Sequence, residues 1–159
     1  MINPPPVPEL LAELAAFRDY VALVPAYGDD DWSRRPSADE WSLTEIACHL
    51  RDVEREVHQS RYHALLNQDG AFLPGVDADL WAIPRNYRDQ SGPLALADFL
   101  AARDKTIALL APHSAEVWAR QGQHTFFGPT SLQELVYLAV QHDRVHGQQI
   151  EALVRPQSG

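Results

Sequence analysis

Residues 131–154 read SLQELVYLAVQHDRVHGQQIEALV, and the spacing within them decides the fold. Apolar side chains recur three and four positions apart at Leu135, Leu138, Ala139, Ile150 and Leu153, the period of a helix that buries one stripe. His142 and His146 occupy the same stripe, where apolar residues are expected. Thr130 and Ser131, with Gln133 and Glu134 three positions on, form overlapping capping boxes, so a helix is predicted from there to about Val154.

A helix of the same kind lies upstream. Ser42-Leu43-Thr44-Glu45 is a capping box, and Leu43, Ile46, Leu50, Val53 and Val57 form a stripe that His49 interrupts, predicting a helix to about Leu66. Leu10, Leu11, Leu14, Phe17, Val21 and Val24 mark a helix over 8–24, stopped by Pro25 and Gly28. Leu96, Phe99, Leu100, Arg103, Ile107 and Leu110 mark another from Pro93 to about Ala111, ended by Pro112. No strand pattern competes and no internal repeat is found, so the fold class is all-α, one four-helix bundle spanning residues 1–159. Between helices two and three, Gly70, Pro74, Gly75, Pro84 and Gly92 predict a long connection that covers one bundle end. A short helix is expected within 77–87, anchored by Leu80 and Trp81. Trp32, Trp41, Trp81, Trp118, Phe126 and Phe127 are expected to fill the bundle ends, with Trp81 and Tyr87 as pocket wall.

His142 and His146, four apart, share one helix face, and His49 points to the same core. Burying three imidazoles without partners costs on the order of 1–3 kcal/mol for each unsatisfied nitrogen, and one divalent metal ion satisfies all three. Imidazole suits zinc, nickel, copper or iron, and three such ligands leave a coordination position open for chemistry. His58 is too far along its helix to share the ion, and His63, His113 and His124 read as surface or loop residues. Glu45 reads first as the capping-box acid, Asp52 as a solvated carboxylate or a partner of His49, and Asp143 as a surface residue. Gln149, three residues after His146, either faces the site or bridges helices. Cys48, the one cysteine, reads as a small buried residue.

Together, Trp41-Ser42 with Glu45, His49-Leu50 with Asp52-Val53-Glu54, Gly128-Pro129, and His142-Asp143-Arg144-Val145-His146 followed by Gln148, Gln149 and Ile150 resemble the DinB/YfiT-like superfamily of metal-binding four-helix bundles. The resemblance implies metal ligation by His49, His142 and His146, zinc or nickel as the ion, and a homodimer. It also implies a thiol-dependent S-transferase using a low-molecular-weight thiol such as bacillithiol or mycothiol on a small-molecule substrate. The same ligands suit a hydrolase that activates water, or a structural or sensory ion with no turnover.

With 159 residues and 45% hydrophobic composition, the chain suits one buried core. A net charge of −9 without a basic cluster argues against a nucleic-acid partner. The first residues lack a secretory pattern and no apolar run is long enough to span a bilayer, so a cytoplasmic protein without a membrane partner is expected.

Overall fold

Ser42 closes the predicted capping box: its Oγ accepts from the Glu45 N–H at 3.2 Å, and Glu45 Oε1 accepts from the Ser42 N–H at 3.1 Å. From this cap, helix Leu43–Val53 continues through a π-helical turn, Glu54–His58, into Gln59–Asn67, and the three form one rod, α2. The structure, a computed structural model, describes residues 3–24 and 30–154. The expected stop at Pro25 and Gly28 lies outside the described residues.

The other long helices are α1 (Val7–Val21), α3 (Gly92–Leu110) and α4 (Leu132–Val154). Ser91 caps α3 by accepting from the Leu94 N–H, and Ser131 and Glu134 form the reciprocal cap of α4. Helix α1 packs on α3 and α4, and α2 packs on the same two. The result is the four-helix bundle that the apolar stripes predict, with the long connection where it is expected.

On α2, α3 and α4 a charged residue interrupts the buried stripe at one level of the bundle. One apolar cluster gathers Val21, Ile46, Leu50, Leu96, Phe99 and Ile150, and another gathers Leu14, Tyr62, Leu65, Leu110, Leu135 and Val140. In sequence, Glu54 of α2, Arg103 of α3 and Asp143 of α4 fall between the two sets. Arg103 Nε and Nη2 donate to Glu54 at 2.9 and 3.0 Å, Nη1 and Nη2 donate to Asp143 at 2.8 and 2.9 Å, and Nη1 also donates to the Leu14 carbonyl of α1 at 3.1 Å. All four helices meet at this guanidinium. Asp143 is therefore buried, contrary to its expected surface position, because Arg103 occupies the stripe of α3 and needs a second carboxylate.

The absence of strands also needs correction. Strand β1 (Phe72–Leu73) pairs parallel with β2 (Gln121–His124), which pairs antiparallel with β3 (Gly128–Ser131). These strands carry no alternating apolar side chains to reveal them. Gly122 stands where a Cβ would come within 2.6 Å of Leu73 and 2.7 Å of the Ala71 carbonyl, so close backbone approach replaces side-chain packing there. Gly128, at φ +67°, ends the β2–β3 turn. The sheet ties the long connection to the start of α4. Within that connection the expected helix is two 3₁₀ turns, Ala78–Trp81 and Tyr87–Asp89, and Ala78 and Trp81 anchor the first while Leu80 is exposed. Trp32 and Trp118 are buried as expected, whereas Phe126 and Phe127 are exposed on the β2–β3 turn.

Replacing Arg103 by Leu strands two buried carboxylates and is expected to cost on the order of 3–5 kcal/mol in urea unfolding. The triple variant R103L/E54L/D143L is expected to recover a large part of that loss. Equal stability of R103L and the native chain would show that the network does not hold the helices together.

Candidate metal centre

The cap at Ser42 fixes where α2 begins, and so where His49 projects; the Ser131 cap does the same for His142 and His146 on α4. His49 Nε2 lies 3.0 Å from His142 Nε2, which lies 3.1 Å from His146 Nε2. One ring nitrogen from each histidine falls within 4.8 Å of the others. His49 and His146 are buried and His142 is half-buried.

Burial, together with the neighbouring imidazoles, pushes His49 down to about 3 and holds His142 far below its ordinary value. His146 is lowered by burial, against the opposing effect of Gln149. All three rings are therefore neutral at neutral pH. Gln149 Oε1 accepts from His146 Nδ1 at 2.9 Å, so Gln149 faces the site and fixes the tautomer that leaves a lone pair on His146 Nε2. Neutral His142 has one proton and cannot donate to both neighbours. A cation at the point where the three nitrogens converge satisfies every lone pair. Tetrahedral ligation at about 2.0–2.1 Å separates nitrogens by roughly 3.3 Å, close to the two spacings that involve His142, so the residues fit a divalent ion.

Trp41 covers the triad. Its ring lies 4.9 Å from that of His49 and stacks on His146 at 6.3 Å with 8° between planes. Its place is beside the histidines and not solely at a bundle end. Asp79, from the first 3₁₀ turn, brings Oδ1 to 3.8 Å from His49 Nε2 while its side chain stays largely exposed. No periodic pattern marks it in the sequence, because it reaches the site from the connection. A cavity of about 240 Å³ opens beside His49 and His142, with Asp79, Val76 and Phe127 on its walls. The wall expected from Trp81 and Tyr87 is formed by these residues instead. Tyr87 is fully buried and donates to Asp52 Oδ2 at 2.6 Å.

Asp52 is neither solvated nor bonded to His49: Arg51 and Arg85 donate to it at 2.8 and 3.0 Å. Glu45 combines its capping role with a bidentate pair to Arg35, both bonds at 2.8 Å. His58 is buried, its ring 5.6 Å from that of His142. A regular helix turns by about 900° over nine residues and would set His58 opposite His49; the π turn delays the phase and swings it toward the cavity. His124, expected on the surface, is buried in β2. Cys48 is buried as expected, and burial pushes its thiol up to about 11.

The model of the DinB superfamily matches residues 15–150. The chain belongs to this superfamily. Its fold is shared with YfiT of Bacillus subtilis, described as a probable metal-dependent hydrolase with an unusual four-helix bundle topology, at TM-score 0.76 and 19% identity over 92% of this chain and 83% of that one. A DinB-like protein of the same organism, YjoA, aligns at TM-score 0.63 and 14% identity, covering 95% of this chain and 93% of its own. No curated protein sequence matches the chain. Among the described residues of this DinB-superfamily member, no helix is long and apolar enough to cross a membrane.

His58, pushed down to about 4 by burial, joins the triad in resisting protonation. Below pH 6.5 the unfolded chain takes up protons that these folded histidines refuse, so stability is present above 6.5 and is lost as the pH falls toward 4. His49, His58 and His142, the most strongly lowered, each contribute about 2 kcal/mol of loss by pH 5. Asp143, raised to about 6 mainly by burial, acts in the opposite sense but is one group against four. The urea midpoint of metal-free protein is expected to be clearly lower at pH 5 than at pH 7.5; an unchanged or higher midpoint would contradict the buried neutral histidines.

Proposed function

We propose that this protein is a metal-dependent enzyme acting on a small molecule, with His49, His142 and His146 holding one divalent ion, zinc or nickel. The observation that carries the reading is the convergence of three neutral imidazole nitrogens beside a cavity. An ion held there supplies Lewis acidity, which favours ionisation of a nucleophile at neutral pH. Asp79 stands beside the triad as an acceptor for the nucleophile's proton. Trp41 shields the imidazoles on one side, and Gln149 keeps His146 in the ligating tautomer.

Hydrolysis is the preferred mode. The exposed carboxylate of Asp79 stands beside His49 on a side open to solvent, and the fold relative YfiT is described as a probable hydrolase. Thiol S-transfer, with bacillithiol or mycothiol as the class of co-substrate, is the second reading. The cavity's apolar walls, Val53, Val57 and Leu138, suit weakly hydrated sulfur. A purely structural ion is disfavoured because Arg103 already binds α2 to α4 without one.

Elemental analysis is expected to find about one metal ion per native chain and far less in His49→Ala and His142→Ala. Stoichiometric metal in both variants would remove the reading. Metal-stripped protein is expected to keep its helical circular dichroism and a cooperative melt while losing turnover. Loaded protein assayed on ester and amide panels, and separately on electrophiles with added thiol, distinguishes hydrolysis from transfer.

A further inference from the structure

Beyond the triad, the cavity is lined by further polar side chains. Arg61, three residues past the π turn, lines it, and no carboxylate pairs with Arg61 among the described residues. Its Nη2 donates to the Pro74 carbonyl at 2.9 Å, while its Nε is buried without a partner. Two more buried polar atoms on the same wall also lack partners: Tyr62 Oη and His58 Nε2. Residues 58, 61 and 62 have the three-and-four spacing of a single helix face. A half-buried guanidinium with no counter-ion is an unfavourable arrangement, and burial does push the Arg61 pKa down. The acids nearby do not neutralise it. Glu54 and Asp143 are committed to Arg103, and Asp77 and Asp79 are exposed on the cavity's rim, Asp79 beside His49.

The cavity also has apolar walls, with Val57, Leu135 and Leu138 among them. We propose that Arg61, assisted by the Tyr62 hydroxyl, is the anchor for a carboxylate at one end of the ligand, whose short aliphatic segment runs along these walls past His58, the neighbour of His142, to the triad. A single guanidinium with a phenol matches one negative charge in bidentate geometry, which selects a carboxylate over a more highly charged phosphate. The substrate class is thus a small aliphatic carboxylic acid that carries its reactive group away from the carboxylate. This assignment rests on the cavity being the substrate site of the proposed enzyme.

Metal-stripped protein separates the anchor from the metal, because binding is read without turnover. Titration calorimetry with hexanoate and with hexanamide, its uncharged counterpart, is expected to show at least a tenfold preference for hexanoate. Arg61→Gln is expected to abolish that preference and leave hexanamide binding within about twofold. Tyr62→Phe, which removes one hydroxyl, is expected to weaken hexanoate severalfold and decides the matter if R61Q does not fold. Equal binding of acid and amide by the native chain overturns the proposal, as does a preference that survives in R61Q or, where R61Q does not fold, a preference undiminished in Y62F. A preference abolished by H49A with Arg61 intact also overturns it, by placing the carboxylate at the triad. Loss of metal binding or turnover, by contrast, would overturn the enzyme reading and leave this result standing.

Discussion

One guanidinium holds the bundle in register. Arg103 bonds Glu54 of α2, Asp143 of α4 and the Leu14 carbonyl of α1 from its own place on α3. Apolar stripes by themselves allow neighbouring helices to slide by a turn at modest cost, since one leucine packs much like another. A buried charge does not, because a shift of one turn leaves it unpaired. Asp143 directly follows His142 in sequence, and Glu54 lies just beyond the helical stretch that carries His49. The relative height of the three histidines is therefore set by an ion-pair layer within a few residues of them.

That arrangement separates the scaffold from the site. Burial keeps the triad's imidazoles neutral, and their nitrogens face one another. Such a cluster is unfavourable in a bare fold. The charged layer, the caps at Ser42 and Ser131 and the two apolar clusters hold it in place, in keeping with function residing where local rules are broken.

Much of this was legible in the sequence. The stripes of α2 and α4 located His49, His142 and His146 on buried faces, and the capping boxes gave the helix starts to within a residue or two. Gln149 was legible too, as one of two alternatives, through its spacing from His146. Less visible were features that depend on contacts across the fold. Asp143 looks exposed until Arg103 is seen facing it, and Asp52 looks solvated until Tyr87 and two arginines close around it. The strands are hidden because Gly122, Gln123, Gly128 and Pro129 give no alternating apolar signal, and Asp79 because it belongs to an irregular segment. His58 was obscured by a π turn, which no residue pattern in Glu54–His58 announces.

The π turn bears on how cavities of this kind diversify. It amounts to one residue more than a regular helix needs, and everything beyond it on α2 is rotated as a unit, including His58, Arg61 and Tyr62. A bundle with the same three histidines but an uninterrupted α2 would turn a different set of side chains toward the same opening. Ligand preference in such proteins can then change by insertion or deletion of a single residue, with the three-histidine face untouched and no exchange of one lining side chain for another.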